Sequence, residues 1–222
     1  MTAQPDVDKL IRQTRQYEFS DGLRDLQLAV LLGLSGVAAW LSLEPGWLTF
    51  VATVAKTFGR WAAWISMLPL VVAVGAVWGM LWLMGFVRRR WLWRESGMVK
   101  SSRIVVPRGV NVLSAVILVG GIGVGLGLRY IGWVDDAFVL RMLWAATGWG
   151  FGYTLVGTGR HLGLARYVRL GAVGGIASTA MLFLTLTFGQ VALAFGVGWS
   201  IILSVSGAIA LRRAFRTAPA RD

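Results

Sequence analysis

The stretch WAAWISMLPLVVAVGAVWGMLWLMGFV, Trp61 to Val87, runs for twenty-seven residues without a charge and is closed by Arg88, Arg89 and Arg90. About 20 apolar residues at ~1.5 Å rise each suffice to cross a bilayer, so this segment can span one with tilt. The arginines that stop it suit a cytoplasmic surface, which puts the cytoplasm at the carboxyl end of this helix and sets the direction of its neighbours. Pro69 leaves the Ile65 carbonyl without its helical donor and predicts a kink in the outer half, while Gly75 and Gly79 offer a small-residue face for helix contact.

The rest of the chain has the same character. It is 222 residues long, 56% apolar and only 14% charged, with a mean hydropathy of +0.67. A soluble domain carries about 25% charged residues, so most of this chain belongs in a bilayer, as one compact domain. The absence of cysteine removes disulfides and thiolate chemistry, and the single histidine, His161, excludes a two-histidine metal site within one chain. The first twenty-five residues carry five acids, Asp25 among them, and no apolar core of signal type, so the amino terminus is expected to stay.

Outward from the organising span, the chain divides into a cytoplasmic segment at 1–22, a transmembrane domain at 23–211 and a basic tail at 212–222. Residues 6–18 read as an interfacial amphipathic helix, with Val7, Leu10, Ile11, Thr14 and Tyr17 at helical spacing. The first span is expected at 23–43, ended by Glu44, Pro45 and Gly46. Residues 47–58 are too short to cross and place Trp47, Phe50, Val51, Val54 and Phe58 on one helical face, so they should lie flat on the outer leaflet. After the organising span at 61–87 comes a basic segment, RRRWLWRESGMVKSSRIVVPRG at 88–109, in which WLW and RIVV pair as a short hairpin or form an irregular loop. Further spans follow at 110–128, 137–157, 170–188 and 191–211, with outer turns at Asp135-Asp136 and Gly189-Gln190. In this topology eighteen of the twenty-two basic residues lie inside and only Lys56, Arg60, Arg129 and Arg141 outside. That asymmetry predicts an all-α, multi-pass bundle of about six transmembrane helices with interfacial helices, both termini cytoplasmic.

Three segments, IRQTRQYEFSDGLRDLQLAV at 11–30, WLWRESGMVKSSR at 91–103 and GRHLGLARYVRLGAVGG at 159–175, resemble the recognisable parts of a group of bacterial polytopic membrane proteins. Those proteins share an aromatic-acidic-glycine entry to the first span, a basic loop of RTGYV type and a glycine-aromatic-basic entry to a late span. Here Glu95-Ser96-Gly97-Met98-Val99 departs from the loop form. The resemblance implies a membrane location and brings no activity with it; the bundle is expected in a bacterial cytoplasmic membrane.

Chemistry is thinly equipped. The glycines at 120, 121, 123, 125 and 127 fail as a dinucleotide fingerprint, because Leu126 stands where the third glycine belongs, and no Walker lysine follows. Gly121, Gly125, Gly148 and Gly152 are instead expected at helix contacts, where small residues let backbones approach. With Asp25 counted among the amino-terminal acids, the spans read as free of carboxylates, which disfavours a buried proton relay. Arg141, near an outer end, should pair with Asp135 or Asp136, with an anion-facing site as the alternative. His161, beside Arg160, reads as a solvated residue rather than a ligand, and Ser178 and Ser204 lack the partners of a nucleophilic relay. Trp78, Trp82, Trp144, Trp149 and Trp199 lie deep enough to serve as helix contacts. No catalytic, cofactor or metal site is expected, and no nucleic-acid partner, since the positive charge lines one side of a membrane. What remains is a cluster of cations, Arg88, Arg89, Arg90, Arg94, Lys100, Arg103 and Arg108, fit to contact anionic lipids or the subunits of a membrane complex. The sequence therefore favours a non-enzymatic accessory or interaction protein, with a channel or facilitator for a small neutral solute as the rival.

Overall fold

The computed structural model describes residues 22–59, 61–87, 90 and 107–217, and every regular element among them is helical. The helices are α1 (Leu23–Leu43), α2 (Pro45–Phe58), α3 (Trp61–Ser66), α4 (Leu68–Val87), α5 (Arg108–Tyr130), α6 (Asp136–Leu162), α7 (Ala165–Ser178) and α8 (Phe188–Thr217), with a 3-10 turn at Thr179–Leu182 between the last two. Four of them, α1, α4, α5 and α8, are long and apolar enough to cross a membrane. The expected helix at 6–18, the hairpin or loop at 91–106 and the end of the basic tail lie outside the described residues.

The segment read as one span at 61–87 is two helices, broken at Met67. Proline at 69 cannot donate to the Ile65 carbonyl, and its ring crowds the preceding turn, so the helix restarts with Val71 donating to Met67 O at 3.0 Å. The expected fifth span and its turn also differ. Helix α7 ends at Ser178, tightens into the 3-10 turn and runs irregularly to Thr187, so Gly189 and Gln190 sit in the first turn of α8 rather than in a connection. Thr187 and Gln190 form a capping box there: the Thr187 N–H donates to Gln190 Oε1 (3.1 Å) and the Gln190 N–H to Thr187 Oγ1 (3.4 Å).

Helix α8 packs along α1, α6 lies between α5 and α7, and α4 leans on α1. The core is Ala29, Leu155, Leu162, Tyr167, Phe195, Trp199 and Leu203, drawn from α1, α6, α7 and α8. Glycine sets the closest approaches. A Cβ on Gly36 would come within 2.9 Å of the Ala192 carbonyl and the Gly196 Cα; one on Gly152 would meet the Gly171 carbonyl at 2.6 Å. Gly148 faces Ser178 and Phe195, Gly121 faces Ala146 and Gly125 faces Met142.

The outer helices are open. A Cβ on Gly75, Gly79, Gly120, Gly123 or Gly127 meets nothing within 4 Å, so Gly75 and Gly79 do not form the helix contact expected of them among the described residues. Trp78 and Trp82 are likewise 73% and 70% exposed rather than packed, because among the described residues α4 has α1 as its one close long neighbour and turns its remaining face outward.

These contacts generate a paired expectation. Gly152→Leu should lower stability in detergent by roughly 1–3 kcal/mol through overpacking, whereas Gly123→Leu, pointing into open space, should leave the melting temperature nearly unchanged. Equal melting of the two variants would contradict the packing described.

Candidate functional site

One end of the bundle gathers most of the described positive charge. The starts of α1, α5 and α7 and the ends of α6 and α8 meet there, bringing Arg24, Arg108, Arg160, Arg166, Arg169, Arg212, Arg213 and Arg216 to the same side. At its centre lies a carboxylate with no solvent-exposed surface, Asp25.

Asp25 is the third residue of α1, where the helix start favours negative charge. Gly22 precedes the helix in the left-handed conformation (φ 78°) and lies flush against α8: a Cβ on it would come within 2.3 Å of the Gly207 carbonyl. No other residue type combines that φ with that approach at so little cost. The turn entering α1 is thus pressed onto α8, and Asp25 is carried inward with it.

Three side chains on two other helices meet the carboxylate. The Tyr167 hydroxyl donates to Oδ1. Ser206 Oγ donates to Oδ2 at 2.9 Å. The Arg166 guanidinium lies 3.3 Å from Oδ2 and covers the Tyr167 ring at 5.2 Å from its centroid. Tyr167 is fully buried, while the Arg166 side chain keeps 26% exposure and reaches in from the rim. The turn between α6 and α7 places both residues: Gly163 adopts φ 70°, the Gly163 N–H donates to Arg160 O and the Leu164 N–H to Gly159 O (2.7 Å), a Schellman closure that leaves only two residues between α6 and α7.

The sequence reading missed this cluster. It counted Asp25 with the amino-terminal acids although the residue stands inside the first span, and the spans are therefore not free of carboxylates. Asp25 stands at the start of α1 and Arg166-Tyr167 at the start of α7, and their contacts bring those two helix starts together.

Of the cations expected to contact lipid or partner, Arg90 is exposed, 5.9 Å over the Phe86 ring, and Arg108 is exposed at the start of α5. Arg88, Arg89, Arg94, Lys100 and Arg103 lie outside the described residues. At the opposite end Arg141 is committed to the chain itself. It donates to the carbonyls of Leu182 (3.3 Å), Leu184 (3.1 Å) and Ala137 (3.1 Å) and stands 3.7 Å from Asp135, while Arg129 pairs with Asp136 at 2.6 Å. The irregular stretch after α7 leaves carbonyls without helical donors, and Arg141 satisfies two of them, so it is no anion site.

His161 is exposed, and no group of three metal-ligating side chains occurs among the described residues. Ser178 Oγ donates to Gly174 O (2.8 Å) and accepts from Trp199 Nε1 (3.1 Å), a helix-to-helix contact rather than a nucleophile's setting. Trp149 Nε1 donates to Thr179 Oγ1 at 3.0 Å, and Trp144 packs between Phe188 and Phe195.

No protein-family model, curated protein or solved structure matches the chain. The functional reading rests on the geometry above.

Removing single donors should grade the cluster. Tyr167→Phe leaves Asp25 Oδ1 short of a buried donor and should cost about 1–3 kcal/mol, Ser206→Ala about 1 kcal/mol. Thermal unfolding in mild detergent measures both, and wild-type stability in Tyr167→Phe would show that the phenol does not support the carboxylate.

Proposed function

We propose that this chain is a non-enzymatic accessory protein of a bacterial cytoplasmic membrane, crossing it six times and docking anionic lipids or the acidic face of a membrane-complex subunit through its basic end. The observation that carries this reading is the separation of charge. Eight arginines of the described helices gather at one end, around a single described carboxylate, Asp25. The opposite end has Lys56, Arg129 and Arg141, the last two already matched by Asp136, Asp135 and backbone carbonyls.

Lengths support six crossings. Besides the four apolar helices, α6 has twenty-seven residues, or about 40 Å at 1.5 Å per residue. Fourteen residues of α7 and four of the 3-10 turn, at its steeper rise, together reach about 29 Å, close to the ~30 Å of a hydrocarbon core. In this arrangement the basic end faces the cytoplasm with both termini. Helix α2, with no buried residue and with Thr49, Thr53 and Thr57 bonded to their own carbonyls four residues back, then lies on the outer leaflet. The close glycine contacts of α1 with α8 and of α6 with α7 favour this reading over the rival facilitator, which needs a continuous polar path.

Two measurements test the proposal. Cysteines introduced at Ser101 and Thr217 should be shielded from an impermeant thiol reagent in intact cells and one at Asp135 labelled; labelling of Ser101 from outside would overturn the orientation. Neutralising Arg94, Lys100 and Arg103 should preserve insertion but weaken association with a co-purifying subunit or with anionic liposomes, and the deficit should shrink as salt rises. Unchanged association would remove the loop's docking role.

A further inference from the structure

We infer that Arg108 and Arg160, at the feet of α5 and α6, bind the phosphodiester headgroup of an anionic phospholipid whose chains lie along the outward face of α5. The inference rests on the membrane orientation proposed above and names a lateral, lipid-facing site distinct from the basic residues of 88–106.

Depth is the first argument. Arg108 and Arg129 bracket α5 and are twenty-one residues apart, about 32 Å along a helix; Arg141 and Arg160 on α6 are nineteen apart, about 29 Å. Both pairs match the ~30 Å hydrocarbon thickness, which puts each arginine at a headgroup layer. The second argument is register. Ser114 Oγ donates to the Gly150 carbonyl (2.7 Å), Thr154 Oγ1 donates to Ser114 Oγ (2.9 Å), and a Cβ on Gly157 would touch Val110. Continued two residues beyond the Val110–Gly157 contact, the same antiparallel register brings Arg108 level with Gly159, next to Arg160.

Charge is the third. The cations at the two outer boundaries are spent, Arg129 on Asp136 and Arg141 on carbonyls, and Arg166 is spent on Asp25. Arg108 and Arg160 are exposed and form no ion pair with a described residue. Directly above them α5 presents Val112, Val116 and Val119, each more than half exposed. Two guanidiniums without an ion pair among the described residues, under an exposed apolar face at headgroup depth, fit an amphiphile with an anionic head. An acidic protein approaching from water would meet Arg212 and Arg216 first. Those lie beyond Gly207, which is already level with the start of α1.

The test uses the full-length protein in mild detergent, with lipids retained on it counted by native mass spectrometry after titration with phosphatidylglycerol or phosphatidylcholine. Wild type should retain phosphatidylglycerol preferentially. Arg108→Gln and Arg160→Gln should each weaken that retention about fivefold, since a cation near an anionic surface contributes about 1 kcal/mol. Arg212→Gln/Arg216→Gln should leave it unchanged, and phosphatidylcholine retention should be the same in all. Circular dichroism and elution volume establish folding, and Arg108→Lys/Arg160→Lys, which keeps the charges, should retain binding if the glutamine pair does not fold. Equal retention of the two lipids by wild type, or unaltered phosphatidylglycerol retention in both single variants, would overturn the site. Displacement by millimolar inorganic phosphate would reassign it to a free anion. The loop substitutions of the preceding section leave Arg108 and Arg160 intact, so loss of loop docking and loss of this lipid site are read separately.

Discussion

A fully buried carboxylate needs a partner, and that requirement at Asp25 ties together three helices that are distant in the chain. The favourable field at the start of α1 contributes about 0.3–1 kcal/mol, whereas removing one partner of a buried ion pair costs about 3–5 kcal/mol. Arg166 is therefore the dominant counterweight, with Tyr167 and Ser206 filling the remaining acceptor sites. To deliver them, α7 must begin at once after α6, which the Gly163 closure allows, and α8 must lie flush with the turn at Gly22, which the Gly207 contact allows. The polar cluster sets which helices meet and at what height.

Glycine then sets how closely they meet. Lipid gives helices no hydrophobic reason to associate, so contact depends on close packing, and the backbone approaches of Gly36 to Gly196 and Gly152 to Gly171 provide it. Helices α4 and α5 flank this packed centre and leave their outward faces bare, as a bilayer permits and water does not. Polarity is thereby sorted: a buried carboxylate among many arginines at one end, Arg129 and Arg141 held by the chain's own acids and carbonyls at the other, apolar surface between.

Much of this was legible in the residues. The bounds of α1 follow from the turn signals on either side of 23–43, and the helix break near Pro69 follows from the missing donor. The contact glycines were harder. The 120–127 run contains both packed positions, Gly121 and Gly125, and open ones, Gly120, Gly123 and Gly127, and only the neighbouring helix decides between them. The end of α7 was misplaced because hydropathy runs on through Met181–Leu186 regardless of backbone form, and the Thr187-Gln190 box that restarts the helix went unread. Asp25 was overlooked for a related reason: beside Arg24 and Asp21 it looks like one more charge of a polar segment, and its burial depends on Gly207 and Tyr167, far away in sequence.

The dependence of the bundle on that carboxylate is open to a double-mutant cycle. Asp25→Ala, Arg166→Ala and the double variant, unfolded reversibly in detergent, give a coupling energy in which the partners' separate roles cancel. If the pair anchors α1 to α7, each single variant strands a charge and the double variant loses less than the two combined, with a coupling of about 1–3 kcal/mol. Losses that add to within about 0.5 kcal/mol would mean that Asp25 and Arg166 are neighbours without being partners, and that the three helices are held by packing alone.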